Sequence, residues 1–181
     1  MALESLMIPL GTPAPEFALP DLDGRVHRRA DYADGPGLLV IFACNHCPYV
    51  KHVEAELGAV VRDSDIPTFA ICSNDATAYP DDGPEGLRAQ TKRADWTFPY
   101  LIDASQEVGR AFGAACTPDF FLYGSGLTLA YRGAFDESTP GNGKPVTGGE
   151  LRAALAAVRA GAAVPEPHRP SMGCSIKWRD G

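Results

Sequence analysis

Apolar and polar positions along this chain fall into short segments of two periods. Leu38-Leu39-Val40-Ile41-Phe42-Ala43 is a continuous apolar run, the signature of a strand buried on both faces. Val50, Val53, Leu57, Val60 and Val61 then recur at helical spacing, with Lys51, His52 and Glu56 on the polar side. Pro48 fits the first turn of that helix, where a missing N–H costs little. Thr68 to Cys72 reads as the next strand, with Cys72 a packing residue, and a helix follows from about Glu85 to Ala94. Phe98 to Ile102 leads to Asp103, the expected N-cap of a short helix carrying Val108 and Phe112. Thr117 to Tyr123 and Leu127 to Arg132 flank Gly124-Ser125-Gly126 and predict a hairpin. The last helix is expected to open on a capping box, Thr147-Gly148-Gly149-Glu150, and to stop at Gly161.

The connecting segments carry turn chemistry. Pro15 to Gly24 predicts an extended run and a turn at Asp23-Gly24, with Val26 on the return. Ser73 to Pro84 is a long loop at the carboxyl end of a strand, where α/β sheets place function. Asp136 to Val146 is a second, Gly- and Pro-rich loop. The division expected is a domain over residues 1–161 and an irregular tail over 162–181, packed on or near it.

Composition narrows the function classes. The chain has 181 residues, 45% of them hydrophobic and 22% charged, enough for one globular domain with a sizeable core. A net charge of −7 speaks against nucleic acid and against anionic membrane surfaces as partners. No apolar stretch has the length of a bilayer span, and the first residues carry an acid where a secretory signal has basic residues. Five cysteines in a chain of this length do not make a disulfide framework. A reducing, cytoplasmic setting with catalytic thiols is the expectation.

The chemistry is concentrated at Cys44-Asn45-His46-Cys47, between the buried strand and the amphipathic helix. Two thiols three residues apart at a strand-to-helix junction form a redox motif candidate. The expectation is that they share a face of the first helical turn, with Cys44 as nucleophile at the positive end of the helix dipole and Cys47 as resolver. His46 is expected to stabilise the Cys44 thiolate. A zinc site would need a second Cys or His pair. Cys72, Cys116 and Cys174 are widely separated, and His27, His52 and His168 form no pair, so no metal or cofactor is expected.

The order strand, C-x-x-C helix, strand, helix, hairpin, helix resembles the thioredoxin-like fold, with Thr117-Pro118 at that fold's cis-proline position. Ala14-Pro15-Glu16-Phe17-Ala18-Leu19-Pro20-Asp21 is similar to the opening of the AhpC/TSA redoxin superfamily. Cys44 to Lys51, Ser73-Asn74-Asp75 with Tyr79-Pro80, Gly113 to Leu122, Tyr131 to Asp136 and Gly173 to Trp178 together resemble its peroxiredoxin-like subfamily. The resemblance implies a central mixed sheet flanked by helices, an N-terminal redoxin-type hairpin and thiol redox chemistry. It makes Cys44 and Cys47 catalytic and Asn45, His46, Thr117 and Pro118 supporting, while Cys116, two residues before Pro118, and Cys174, on a tail that can fold back, read as auxiliary thiols, as partners of each other or as reduced packing residues. Thr117 backbone next to Pro118 would be open to strand-like pairing with substrate.

Two departures shape the expected activity. Peroxiredoxins carry Pro-x-x-x-Thr ahead of their reactive cysteine, and here those positions are Gly37 and Ile41. Thioredoxins carry Trp before the first cysteine, Gly-Pro between the two and a buried acid on the preceding strand. Here these are Ala43, Asn45-His46 and, near the acid's position, Leu38. The function expected is thiol–disulfide exchange, with a protein or small-molecule disulfide as substrate and a thioredoxin- or glutathione-type thiol as upstream reductant. The alternatives are a thiol peroxidase and a non-catalytic redox-sensing or soft-metal-binding protein.

Overall fold

The apolar run after Gly37 forms the middle of the main sheet, and everything near the thiols is positioned from it. The computed structural model describes residues 2–179. Its strands and helices, in chain order, are β1 (Ala2–Glu4), β2 (Ala18–Pro20), β3 (Val26–Arg28), β4 (Leu38–Phe42), α1 (Pro48–Ser64), β5 (Thr68–Cys72), α2 (Pro84–Arg93), β6 (Tyr100–Ile102), α3 (Glu107–Phe112), β7 (Cys116–Thr117), β8 (Asp119–Tyr123), β9 (Leu129–Gly133), α4 (Gly149–Arg159) and β10 (Met172–Ser175). Five strands make a mixed sheet in the order β6-β5-β4-β8-β9. β4, β5 and β6 run parallel, while β8 is antiparallel to β4 and to β9. This is the thioredoxin-like arrangement.

β4 is buried at all five positions. Its side chains alternate between two apolar clusters, as strand geometry requires. Leu39 and Ile41 pack with Val50, Val53 and Leu57 of α1, Leu87 of α2 and Leu151 and Leu155 of α4. Leu38, Val40 and Phe42 pack on the opposite face with Phe17, Leu19, and Val108 and Phe112 of α3. Truncating one of these to Ala costs about 2–5 kcal/mol. The sheet is therefore closed on both faces, and the free ends of β4 and β5 are where polar groups gather. α1 is tied to α2 by Glu54, a buried carboxylate held by the Arg93 guanidinium at 2.6 Å.

Three sequence expectations change. Asp103 is not the N-cap of α3; that position is Gln106, in a left-handed conformation, while the Asp103 carboxylate accepts from Ser73 and from the Gly109 N–H. α4 has no capping box, and its N-cap is Gly148. The Thr147 and Gly148 N–H groups are instead taken by the Asp136 carboxylate from the preceding loop. The third change matters most. The tail is not irregular throughout: Met172–Ser175 forms β10, the middle strand of a second sheet, β1-β10-β7.

Candidate redox site

The turn between β4 and α1 carries the two thiols. α1 begins at Pro48, so Cys47 is its N-cap and Cys44 lies a turn earlier, at the end of β4. The benefit of the helix N-terminus thus falls on Cys47, not on Cys44 as the spacing suggested. Both cysteines are free and have 0% of their surface exposed. The Thr117–Pro118 bond is cis, as the resemblance implied. Thr117 spans both sulfurs: its hydroxyl lies 3.3 Å from Cys44 Sγ, and its carbonyl accepts from the protonated Cys47 thiol at 3.1 Å.

The two thiols titrate as a unit. Cys44 is pushed far above the usual thiol range, first by its hydrogen bond with Cys47, then by burial and by the Asp82 charge. Cys47 is lowered to about 4, chiefly by the hydrogen bond from Cys44, with help from Thr117 and the Val50 N–H in the first turn of α1. The surroundings thus favour charge on Cys47 over charge on Cys44. This direction runs against the expected stabilisation of a Cys44 thiolate.

Asp82, at the end of the Ser73–Pro84 loop, organises the turn and was not singled out from sequence. Its buried carboxylate accepts from the Asn45 N–H at 2.8 Å, the His46 N–H at 3.0 Å and the Asn74 amide at 2.8 Å, and it pairs with His46 Nδ1 at 2.5 Å. His46 therefore faces a carboxylate, not a thiolate, and its other contact is the stacked ring of Tyr79, 5.0 Å away. Asn45 ties the same turn to Arg93 and to the Asp81 carbonyl. Gly86 admits this approach, because a Cβ there would overlap the Asp81 carbonyl. Gln90 completes the cradle by donating to the Cys44 carbonyl at 3.2 Å while accepting from Tyr100. Only the turn-rich composition of the 73–84 loop signalled any of this.

Among the described residues, Cys44, His46 and Asp82 are the one trio of potential metal ligands, with ligand atoms within 4.8 Å of one another. The Asp82 oxygens already serve four donors, and a carboxylate is a hard partner for the soft metals that thiolates select. The trio reads as a hydrogen-bonded network. A cavity of about 310 Å³ opens beside Pro118, between Tyr49 and His52 of α1 and Arg169–Met172 of the tail. The His52 Nε2 and Ser138 Oγ atoms of its lining have no hydrogen-bond partner.

The auxiliary thiols separate. Cys116 is buried in β7 with its thiol toward the Pro118 carbonyl, and it does not approach Cys174 as a disulfide partner. Cys174 packs against the cluster that contains Cys44 and Cys47 and lies opposite Thr117, whose carbonyl faces the Cys47 thiol. The edge of Thr117 is not open, because β10 occupies it with Cys174 opposite Thr117.

Comparison with known proteins fits this geometry. Residues 10–135 match the AhpC/TSA family model. The chain belongs to the AhpC/TSA family. An uncharacterized conserved protein from Geobacillus kaustophilus shares 47% identity over all of this chain and 98% of its own, with a TM-score of 0.96. A hypothetical protein from Sinorhizobium meliloti 1021 is likewise 47% identical, over 98% of this chain and 99% of its own, with a TM-score of 0.95. The thiol-disulfide oxidoreductase ResA of Geobacillus thermodenitrificans is 29% identical over 122 residues. That match covers 66% of each protein, so this AhpC/TSA chain spans just under two thirds of the curated relative's length.

Proposed function

We propose that this AhpC/TSA protein is a thiol–disulfide oxidoreductase working through Cys44 and Cys47. The observation that carries the reading is a pair of free thiols three residues apart, both in hydrogen-bond contact with Thr117 beside cis-Pro118. A thiolate attacks a disulfide sulfur, one substrate thiolate leaves, and the second thiol resolves the mixed disulfide, giving a Cys44–Cys47 disulfide and two substrate thiols. The partners are a protein or small-molecule disulfide and a thioredoxin- or glutathione-type reductant that resets the pair. A reducing cytoplasm suits a resting dithiol. The curated ResA relative supports the same class of chemistry.

Turnover of a disulfide substrate by wild type, Cys44→Ser and Cys47→Ser tests the reading. Both variants are expected to lose most of the turnover, because each lacks one thiol of the exchanging pair. Full turnover in either variant would overturn it. Peroxide reduction is the second reading, because the Thr117 hydroxyl beside Cys44 supplies what Ile41 lacks. Hydrogen peroxide consumption by the reduced protein distinguishes it.

A further inference from the structure

The catalytic pair is fully buried, yet exchange requires an external sulfur to approach in line. The covering element is the chain's own β10. Its residue Cys174 pairs with Thr117 and Ser175 pairs with Cys116, so the tail fills the edge beside cis-Pro118. The fit is close, since a Cβ on Gly173 would overlap the Thr117 carbonyl carbon and oxygen. The far edge of β10 is held by β1, and the Ser5 N–H donates to the Ser171 carbonyl while the Ser171 N–H donates to Ser5 Oγ. Cys174 is therefore held in register opposite Thr117, which contacts both sulfurs of the pair. Of the three thiols, Cys174 alone is partly exposed.

We propose that Cys174 is a third redox thiol, relaying the disulfide between the buried pair and the surface. This rests on the thiol–disulfide reading for its source of oxidation. Once Cys44–Cys47 has formed, the Cys174 thiolate attacks Cys47 Sγ. The Cys47–Cys174 bond forms, the Cys44–Cys47 bond breaks, and Cys44 leaves with the electron pair and takes up a proton. No net oxidation occurs. The external reductant then attacks the Cys174 sulfur, on the one residue of the three that is partly exposed.

In the reduced protein burial and the Cys47 anion raise the Cys174 thiol to about 11, which keeps it idle. When Cys47 enters a disulfide, its share of that effect disappears and the nearby Lys177 cation still favours the thiolate. The relay is thus armed by oxidation of the pair.

The test is disulfide mapping on the full chain. Reduced protein is treated with one equivalent of diamide, free thiols are alkylated, and the peptides are identified by mass spectrometry. Wild type is expected to give both Cys44–Cys47 and Cys47–Cys174, and Cys44→Ser to give Cys47–Cys174. In Cys174→Ser, Cys44–Cys47 should still form, but its reduction by glutathione should slow by about tenfold or more. Absence of Cys47–Cys174 from both wild type and Cys44→Ser overturns the relay, as does an unchanged reduction rate in Cys174→Ser. Turnover that survives without the crosslink defeats the relay alone. A crosslink without any disulfide turnover upholds the relay and defeats the enzymatic reading.

Discussion

Asp82 and the two thiols show how residue-scale electrostatics sets the chemistry. An anion on Cys44 would face the Asp82 carboxylate, whereas an anion on Cys47 gains the Cys44 S–H, Thr117 and the first turn of α1. His46 acts on this balance indirectly, by pairing with Asp82. Asp82→Asn should therefore bring the second thiolate to lower pH in a titration of thiolate absorbance. The first should move less, because the causes that lower Cys47 do not include Asp82. The amide cannot accept all four hydrogen bonds, so urea denaturation should also show a loss of about 1–3 kcal/mol. An unmoved second titration would show that Asp82 acts on the fold and not on Cys44.

At the scale of elements, β10 is the piece on which access depends. It is short, and it is held between β1 and β7 by backbone pairing through a glycine that tolerates no side chain. Gly173→Ala should push it off Thr117, with the loss of about 1–3 kcal/mol typical of overpacking. The same variant should expose the pair, so alkylation of Cys44 and Cys47 by iodoacetamide should accelerate over wild type. Equal labelling rates in the two proteins would mean that β10 does not cover the thiols. The helices behave more simply. α1 and α4 lie on one face of the sheet and α3 on the other, each turning its apolar stripe to the core.

Across the whole molecule, the buried acids set how stability depends on pH. Asp119, immediately after Pro118, is fully buried with one carboxylate oxygen unpartnered, and burial raises it from 3.8 to about 7. The folded state then holds its proton more tightly than the unfolded chain does. Stability contributed by this group is complete below about pH 4 and is lost as pH rises toward 7, where the folded carboxyl ionises. Asp21 and Asp136 are lowered, so they act in the opposite sense, losing their contribution as pH falls through their acid range. Thermal midpoints from pH 4.5 to 8 should therefore fall more steeply in wild type than in Asp119→Asn. Parallel curves would place the ionisation elsewhere.

The sequence by itself determined what is local. The apolar run of β4, the period of α1, the C-x-x-C between them and the order of elements follow from the alternation of side chains and from turn residues, which act within a few positions of each other. The motif residues also placed Thr117-Pro118 against the cysteines, because the resemblance supplied a contact that spans 73 positions. Tertiary structure alone decided the rest. Asp82 reaches a turn 37 residues away through backbone N–H groups, which have no side-chain signature. Cys174 meets Cys47 because β10 inserts between β1 and β7, and a four-residue strand with a central glycine has too little periodicity to announce itself. Which thiol carries the charge depends on both, since a pKa is set by everything packed around the sulfur and not by its neighbours in the chain.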